Sequence, residues 1–141
     1  MNHAALTPAE QQTLVQLMRE GEQLLWAGRG MAASVPPPGL LARLLGKAPA
    51  RAAGCLYAIT NKRVLALPEQ GSEPQEWFLM LGLVREVREN AGGCGDIVFD
   101  YEEAAGRKEA RGILGVEAVS QVRNLLQDAI DAAYAASPWS V

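Results

Sequence analysis

The sequence predicts a mainly β domain, a barrel of short strands closed by one C-terminal helix. Two observations carry this reading. Between Glu22 and Val116 the apolar residues fall in runs of strand length, punctuated by Gly, Pro and Asn. From Glu117 to about Ala135 the period turns helical, with Val119, Val122, Leu126, Ala129, Ile130 and Ala133 on one face, Leu125 widening it, and Pro138 beyond. Strand after strand, then one long amphipathic helix, is the order of a capped barrel. At 141 residues and 49% hydrophobic content the chain is long enough for one domain with a single sizeable core.

An N-terminal helix precedes the strands. Thr7-Pro8-Ala9-Glu10 supplies a capping Thr, Pro at the first helical position and Glu three residues after the cap. Leu14, Leu17 and Met18, with Val15 beside them, form the stripe that lays this helix on the outside of the domain, and Gly21 is expected to end it. Glu22 to Gly28 reads as a first strand with Leu24 and Trp26 on one face, after which Gly28, Gly30 and Pro36-Pro37-Pro38-Gly39 break regular structure. Leu56 to Leu67 reads as a hairpin turning at Asn61-Lys62, where Asn suits a left-handed backbone. Cys55, Tyr57 and Ile59 share one face of its first strand and Leu56, Ala58 and Thr60 the other. Neither face is strongly polar, so both are expected to be covered.

Trp77 to Leu81 is a further apolar run of strand length. Val84 and Val87 then sit three apart among Arg85, Glu86, Arg88 and Glu89, which fits a bulged strand or a helical turn. Ala91 to Gly95 is a turn. Asp96 to Tyr101 alternates cleanly, with Ile97, Phe99 and Tyr101 opposed to Asp96 and Asp100, and Lys108 to Val116 is the last strand.

No catalytic constellation emerges. His3 is the only histidine and lies at the terminus, so general-base, triad and zinc schemes lack material. Asp96 and Asp100 read as the wet face of a half-buried strand. Gly92-Gly93-Cys94-Gly95 matches no phosphate loop and precedes a strand instead of a helix. Cys55 and Cys94 lack metal-ligand spacing and are expected to be free thiols in a reducing cytoplasm, Cys94 the more exposed. No signal peptide or membrane-spanning run is read in the sequence. No metal and no cofactor is expected.

Charge is unevenly spread. Between Gln23 and Pro68 there is no acid, and Arg29, Arg43, Lys47, Arg51, Lys62 and Arg63 give +6; the remainder carries −9, for a formal total of −3. These six cations are a candidate surface for an anionic lipid or an acidic partner, and no nucleic acid is expected. Leu40, Leu41, Leu44 and Leu45 share a short helical face opposite Arg43 and Lys47. That face is either an interfacial or partner-docking element, or a loop helix tucked against the barrel.

Several short stretches together resemble a known family. Tyr57-x-Ile59-Thr60-Asn61-Lys62-Arg63-Val64-Leu65 is similar to the signature hairpin of bacterial pleckstrin-homology-like (PH-like) domains. Gly21-Glu22 with Trp26 and Gly28, then Gly95-Asp96-Ile97 and Gly115-Val116, extend the likeness over roughly residues 21–135. The resemblance implies a partly open, seven-stranded antiparallel barrel capped by the C-terminal helix. It divides the chain into an N-terminal helical extension over 1–20, a PH-like domain over 21–136 with a Pro- and Leu-rich loop insertion at 35–50, and a tail at 137–141. It also implies a non-catalytic binding or scaffold module that takes a protein segment or its own copies, with a homo-oligomer as one form. The phosphoinositide site of eukaryotic PH domains is not carried over. The alternative to a protein partner is a peripheral contact at the inner face of the membrane through segment 29–63, and an enzyme is the remote one.

Overall fold

In a computed structural model the described residues are 6–32, 53–69, 76–90, 95–102, 106 and 108–135. His3, Cys94, the 35–50 segment with Leu40, Leu41, Arg43, Leu44, Leu45 and Lys47, then Arg51 and the 137–141 tail lie outside them. The elements run α1 (Pro8–Leu17), β1 (Leu24–Ala32), β2 (Ala53–Thr60), β3 (Arg63–Pro68), β4 (Trp77–Met80), a 3₁₀ turn (Leu81–Leu83), β5 (Val84–Asn90), β6 (Gly95–Glu102), β7 (Lys108–Val116) and α2 (Val119–Ala135). The strands form one antiparallel sheet in the order β4-β3-β2-β1-β7-β6-β5. That is the expected seven-stranded barrel, left open between its two end strands.

β2 is apolar on both faces because two cores meet across it. Cys55, Tyr57 and Ile59 point into the barrel with Phe99, Ile113 and the α2 residues Val122, Leu126 and Ile130. Leu56 and Ala58 point outward to Leu65, Ala27 and the α1 residue Leu14, which is 1% exposed. The capping box is formed as read: the Glu10 N–H donates to Thr7 Oγ1 and the Thr7 N–H to Glu10 Oε1. The helix stops at Leu17 instead of Gly21; Val15 and Leu17 are exposed, and only Leu14 and Met18 of the stripe reach the core.

Three local readings are corrected. Gly28 and Gly30 do not end β1 but lie inside it, and Gly30 sits where β1 meets β7 through the Met31–Leu114 pair. A Cβ at Gly30 would lie 2.0 Å from the Leu114 carbonyl oxygen, so the barrel closes there only around glycine. Leu24 and Trp26 do not share a face. A register shift between them turns Leu24 outward and Trp26 into the barrel, as one extra residue must where side chains alternate. At the hairpin, Ala118 is the only non-glycine with positive φ among the described residues, so Asn61 is not left-handed. The last registered pair is Ile59–Val64. Thr60 closes the four-residue loop by accepting the N–H groups of Lys62 and Arg63, each at 3.0 Å. The broken Val84–Val87 alternation resolves as a bulge, a register shift between Val84 and Glu86.

Replacing Gly30 by Ala is expected to cost about 1–3 kcal/mol by overpacking, read as a lower urea midpoint. Gly82→Ala, where a Cβ meets open space, leaves the midpoint unchanged.

Candidate functional site

Of the six cations singled out in the sequence, Arg29, Lys62 and Arg63 fall among the described residues, and they do not form an open anion site. Arg63 is 5% exposed. Its Nε donates to Glu22 Oε2 at 2.8 Å, and its Nη2 to Glu22 Oε1 at 3.1 Å and to the Leu17 carbonyl at 2.7 Å. The Glu22 side chain is fully buried, and its carboxylate also accepts the Thr60 hydroxyl at 2.7 Å and the Arg19 N–H at 3.0 Å. Burial raises this carboxyl, but the hydrogen bonds from Arg63, Thr60 and Arg19 outweigh it and hold its pKa below the ordinary value. Arg29 pairs with Glu10 in the first turn of α1. The two arginines thus clamp opposite ends of α1 onto the outer sheet face, Arg63 favourably placed as a cation at a helix C-terminus. Lys62 is exposed at the hairpin tip.

The remaining candidates are occupied structurally. Asp96 accepts the Gly115 N–H at 2.8 Å, and Asp100 pairs with Arg88 at 2.8 Å. Cys55 is buried, which pushes its thiol up to about 11, away from reactivity. Among the described residues no group of three or more His, Cys, Asp or Glu could hold a metal, and no helix is long and apolar enough to cross a membrane.

A cleft lies elsewhere, between β5 and α2. The Ser120 hydroxyl donates to Glu89 Oε2 at 2.8 Å near one end of β5, and the Tyr134 hydroxyl donates to the Val84 carbonyl at 2.7 Å at the other. These two ties run α2 along β5 in the opposite sense. A 14-residue separation on a helix is about 21 Å and a five-residue separation on a strand about 17 Å, so the lengths match. Between them opens a cleft of about 320 Å³, lined by Val84, Arg85 and Val87 from β5 and by Gln127, Ile130, Asp131 and Tyr134 from α2. The α2 residues recur at i, i+3, i+4 and i+7, one face at the border of the apolar stripe. Val84, Val87 and Ile130 give an apolar floor; Arg85 and Asp131 stand exposed at the rim. Among the described residues β5 is an end strand, with β6 as its one strand partner.

None of these cleft residues was singled out as a site in the sequence. The available signal was the three-residue Val84–Val87 spacing, which marked a bulge but not what would lie over it.

No protein-family model matches the chain, and no curated protein matches it. Among solved structures it is similar to the "Vps36 N-terminal PH domain", with a TM-score of 0.54 at 12% identity, over 82% of this chain and 83% of that one. The fold is PH-like. At this identity the likeness concerns architecture alone, and the architecture of this chain is seven antiparallel strands in an open barrel with a C-terminal helix and an N-terminal one.

In this PH-like fold the Glu22–Arg63 pair is expected to be the most costly contact to break. Glu22→Gln leaves Arg63 buried without a counter-charge and should lose about 3–5 kcal/mol in a urea melt. Because the Glu22 pKa is depressed on folding, its contribution is complete above the ordinary value of 4.5 and disappears as the pH falls through the lower folded-state value. The wild-type melting temperature should drop over that acid range and that of Glu22→Gln should drop less.

Proposed function

We propose that this chain is a non-catalytic binding module, a PH-like domain of the bacterial branch, that takes an extended protein segment along β5 and over the cleft beside α2. The observation that carries the reading is that β5, an end strand among the described residues, borders a lined cleft, with its Val84 carbonyl already held by Tyr134. An added strand gains main-chain hydrogen bonds from the β5 edge, and its alternate side chains drop toward Val84, Val87 and Ile130. PH-like domains generally serve as binding modules for proteins or lipids, which agrees with this use. Arg85 and Asp131 at the rim favour a segment with opposite charges flanking an apolar residue. The proposal includes a scaffold role in the cytoplasm, a compartment with which a buried free thiol at Cys55 is compatible.

The lipid alternative draws on segment 29–63. Within the described part of that segment Arg63 is buried on Glu22 and the exposed Arg29 is paired with Glu10, so only Lys62 and the outer side of Arg29 face solvent, and the protein-segment reading is preferred.

Selection of extended peptides from a displayed random library tests the proposal. Selected peptides should perturb backbone amide resonances of Val84–Arg88 and of the Gln127–Tyr134 face. Asp131→Lys should weaken binding of peptides chosen against the wild type by about tenfold, within the range of one close charge pair. Peptides that perturb other residues and bind Asp131→Lys equally well would count against the cleft.

A further inference from the structure

α1 rests on the outer sheet face through few contacts. Of its ten residues only Leu14 is buried, at 1% exposure, while Val15 is 70% and Leu17 39% exposed. Its other ties stand at its two ends: Glu10 pairs with the exposed Arg29, and the Leu17 carbonyl accepts Arg63 Nη2. An exposed pair contributes little, and a helix this short is marginal in water once detached. The floor beneath is built differently. Ala27, Leu56, Ala58 and Leu65 belong to β1, β2 and β3, whose backbones are paired with one another and not with the helix.

The way α1 sits shows what this floor recognises. Glu10 and Leu14 are four residues apart, hence on one helix face, and they meet Arg29 and the apolar floor. Arg63 then takes the last carbonyl, a bond that any helix ending there can accept. Past that end, Phe78 and Met80 stand 50% and 37% exposed, Phe78 opposite Leu65 of the floor and Met80 opposite Arg63. From the α1 side the Arg19 guanidinium lies 5.1 Å from the Phe78 ring centroid, a contact that leaves half of the residue exposed.

We propose that the outer face of β1, β2 and β3 is a docking groove for an amphipathic helix of a partner protein, and that α1 is its resident competitor. The partner helix carries an acid and a leucine four residues apart, the acid for Arg29 and the leucine for the floor of Leu56, Ala58 and Leu65. It ends at Arg63 and is followed by an apolar side chain that covers Phe78 and Met80. That last contact is one α1 does not make. It gives the partner its advantage over a segment that the chain itself holds at high effective concentration. The Glu22–Arg63 pair lies past the end of α1 and remains to receive the incoming helix. The groove shares no lining residue with the β5 cleft, so the two sites act independently.

Titration of a fluorescent peptide spanning residues 5–20 into the full chain tests the groove. The wild-type chain should bind it weakly, because its own α1 occupies the site. Leu14→Glu in the chain lifts α1, and affinity for the peptide should rise about tenfold or more, following the fraction of open grooves. Binding should return the backbone amide resonances of Ala27, Leu56, Ala58 and Leu65 in this variant toward their wild-type positions. A peptide with Arg19→Leu should bind tighter still, and one with Leu14→Glu should not bind. Arg29→Glu in the chain leaves the floor intact and should reverse the charge preference, taking a Glu10→Lys peptide over the unchanged one. Circular dichroism melts confirm that both chain variants fold. Equal affinity of the wild-type and Leu14→Glu chains, resonance shifts confined to the β5 cleft, no gain from Arg19→Leu, or an Arg29→Glu chain indifferent to the Glu10→Lys exchange would overturn the proposal.

Discussion

A buried carboxylate, Glu22, meets the guanidinium of Arg63 in the seam between α1, the entry to β1 and the β2–β3 hairpin, and the outer half of the molecule is organised around that contact. Three separate pieces of chain converge there. The carboxylate takes the Thr60 hydroxyl and so fixes the loop whose N–H groups Thr60 accepts. The guanidinium reaches past Glu22 to the last carbonyl of α1. Beside it, the Gln23 N–H donates to Asn61 Oδ1, and the Asn61 amide reaches the Gly21 carbonyl. A charge pair removed from water costs several kcal/mol per ion and is sustained only by bonds as numerous as these. The contact serves specificity as well: no other register of the hairpin would place Thr60, Asn61 and Arg63 on their partners at once.

This contact explains what the outer sheet face does. A PH-like barrel closed by α2 on its inner side leaves Leu56, Ala58 and Leu65 facing outward. Here α1 covers them through Leu14, together with the flanking Leu6 and Met18, and Arg29 and Arg63 hold its two ends. Of the three cations of the basic third that are described, Arg29 and Arg63 are engaged in ion pairs. These two cations hold α1 to the rest of the molecule.

The two end strands of the sheet are finished unequally. Where α2 passes along β5, a cleft forms with the exposed Arg85 and Asp131 among its lining residues. β4 has no such cover among the described residues and shows two large apolar side chains to solvent. An open barrel cannot avoid having edges; what varies is how each is finished, and the finish decides what kind of partner can pair with it.

The order of elements was legible in the sequence because it depends on local periodicity and capping. The Thr7–Glu10 capping box, the alternation of Asp96 to Tyr101 and the helical stripe of Val122, Leu126 and Ile130 each declare themselves over a few residues. So did the two-sided burial of β2, since neither of its faces was polar. What the sequence could not decide was every feature set by residues far apart along the chain. Gly30 reads as a breaker until β7 is seen crossing it; Leu24 and Trp26 read as neighbours on one face until a bulge separates them. Arg63 reads as a surface cation at a turn, yet a carboxylate 41 positions away buries it. The cleft likewise exists only because α2 returns to lie beside β5, 50 positions separating Tyr134 from the Val84 carbonyl it bonds. Local patterns specify what each segment becomes, while the partner that turns a charge into a clamp or an edge into a site is supplied by the fold.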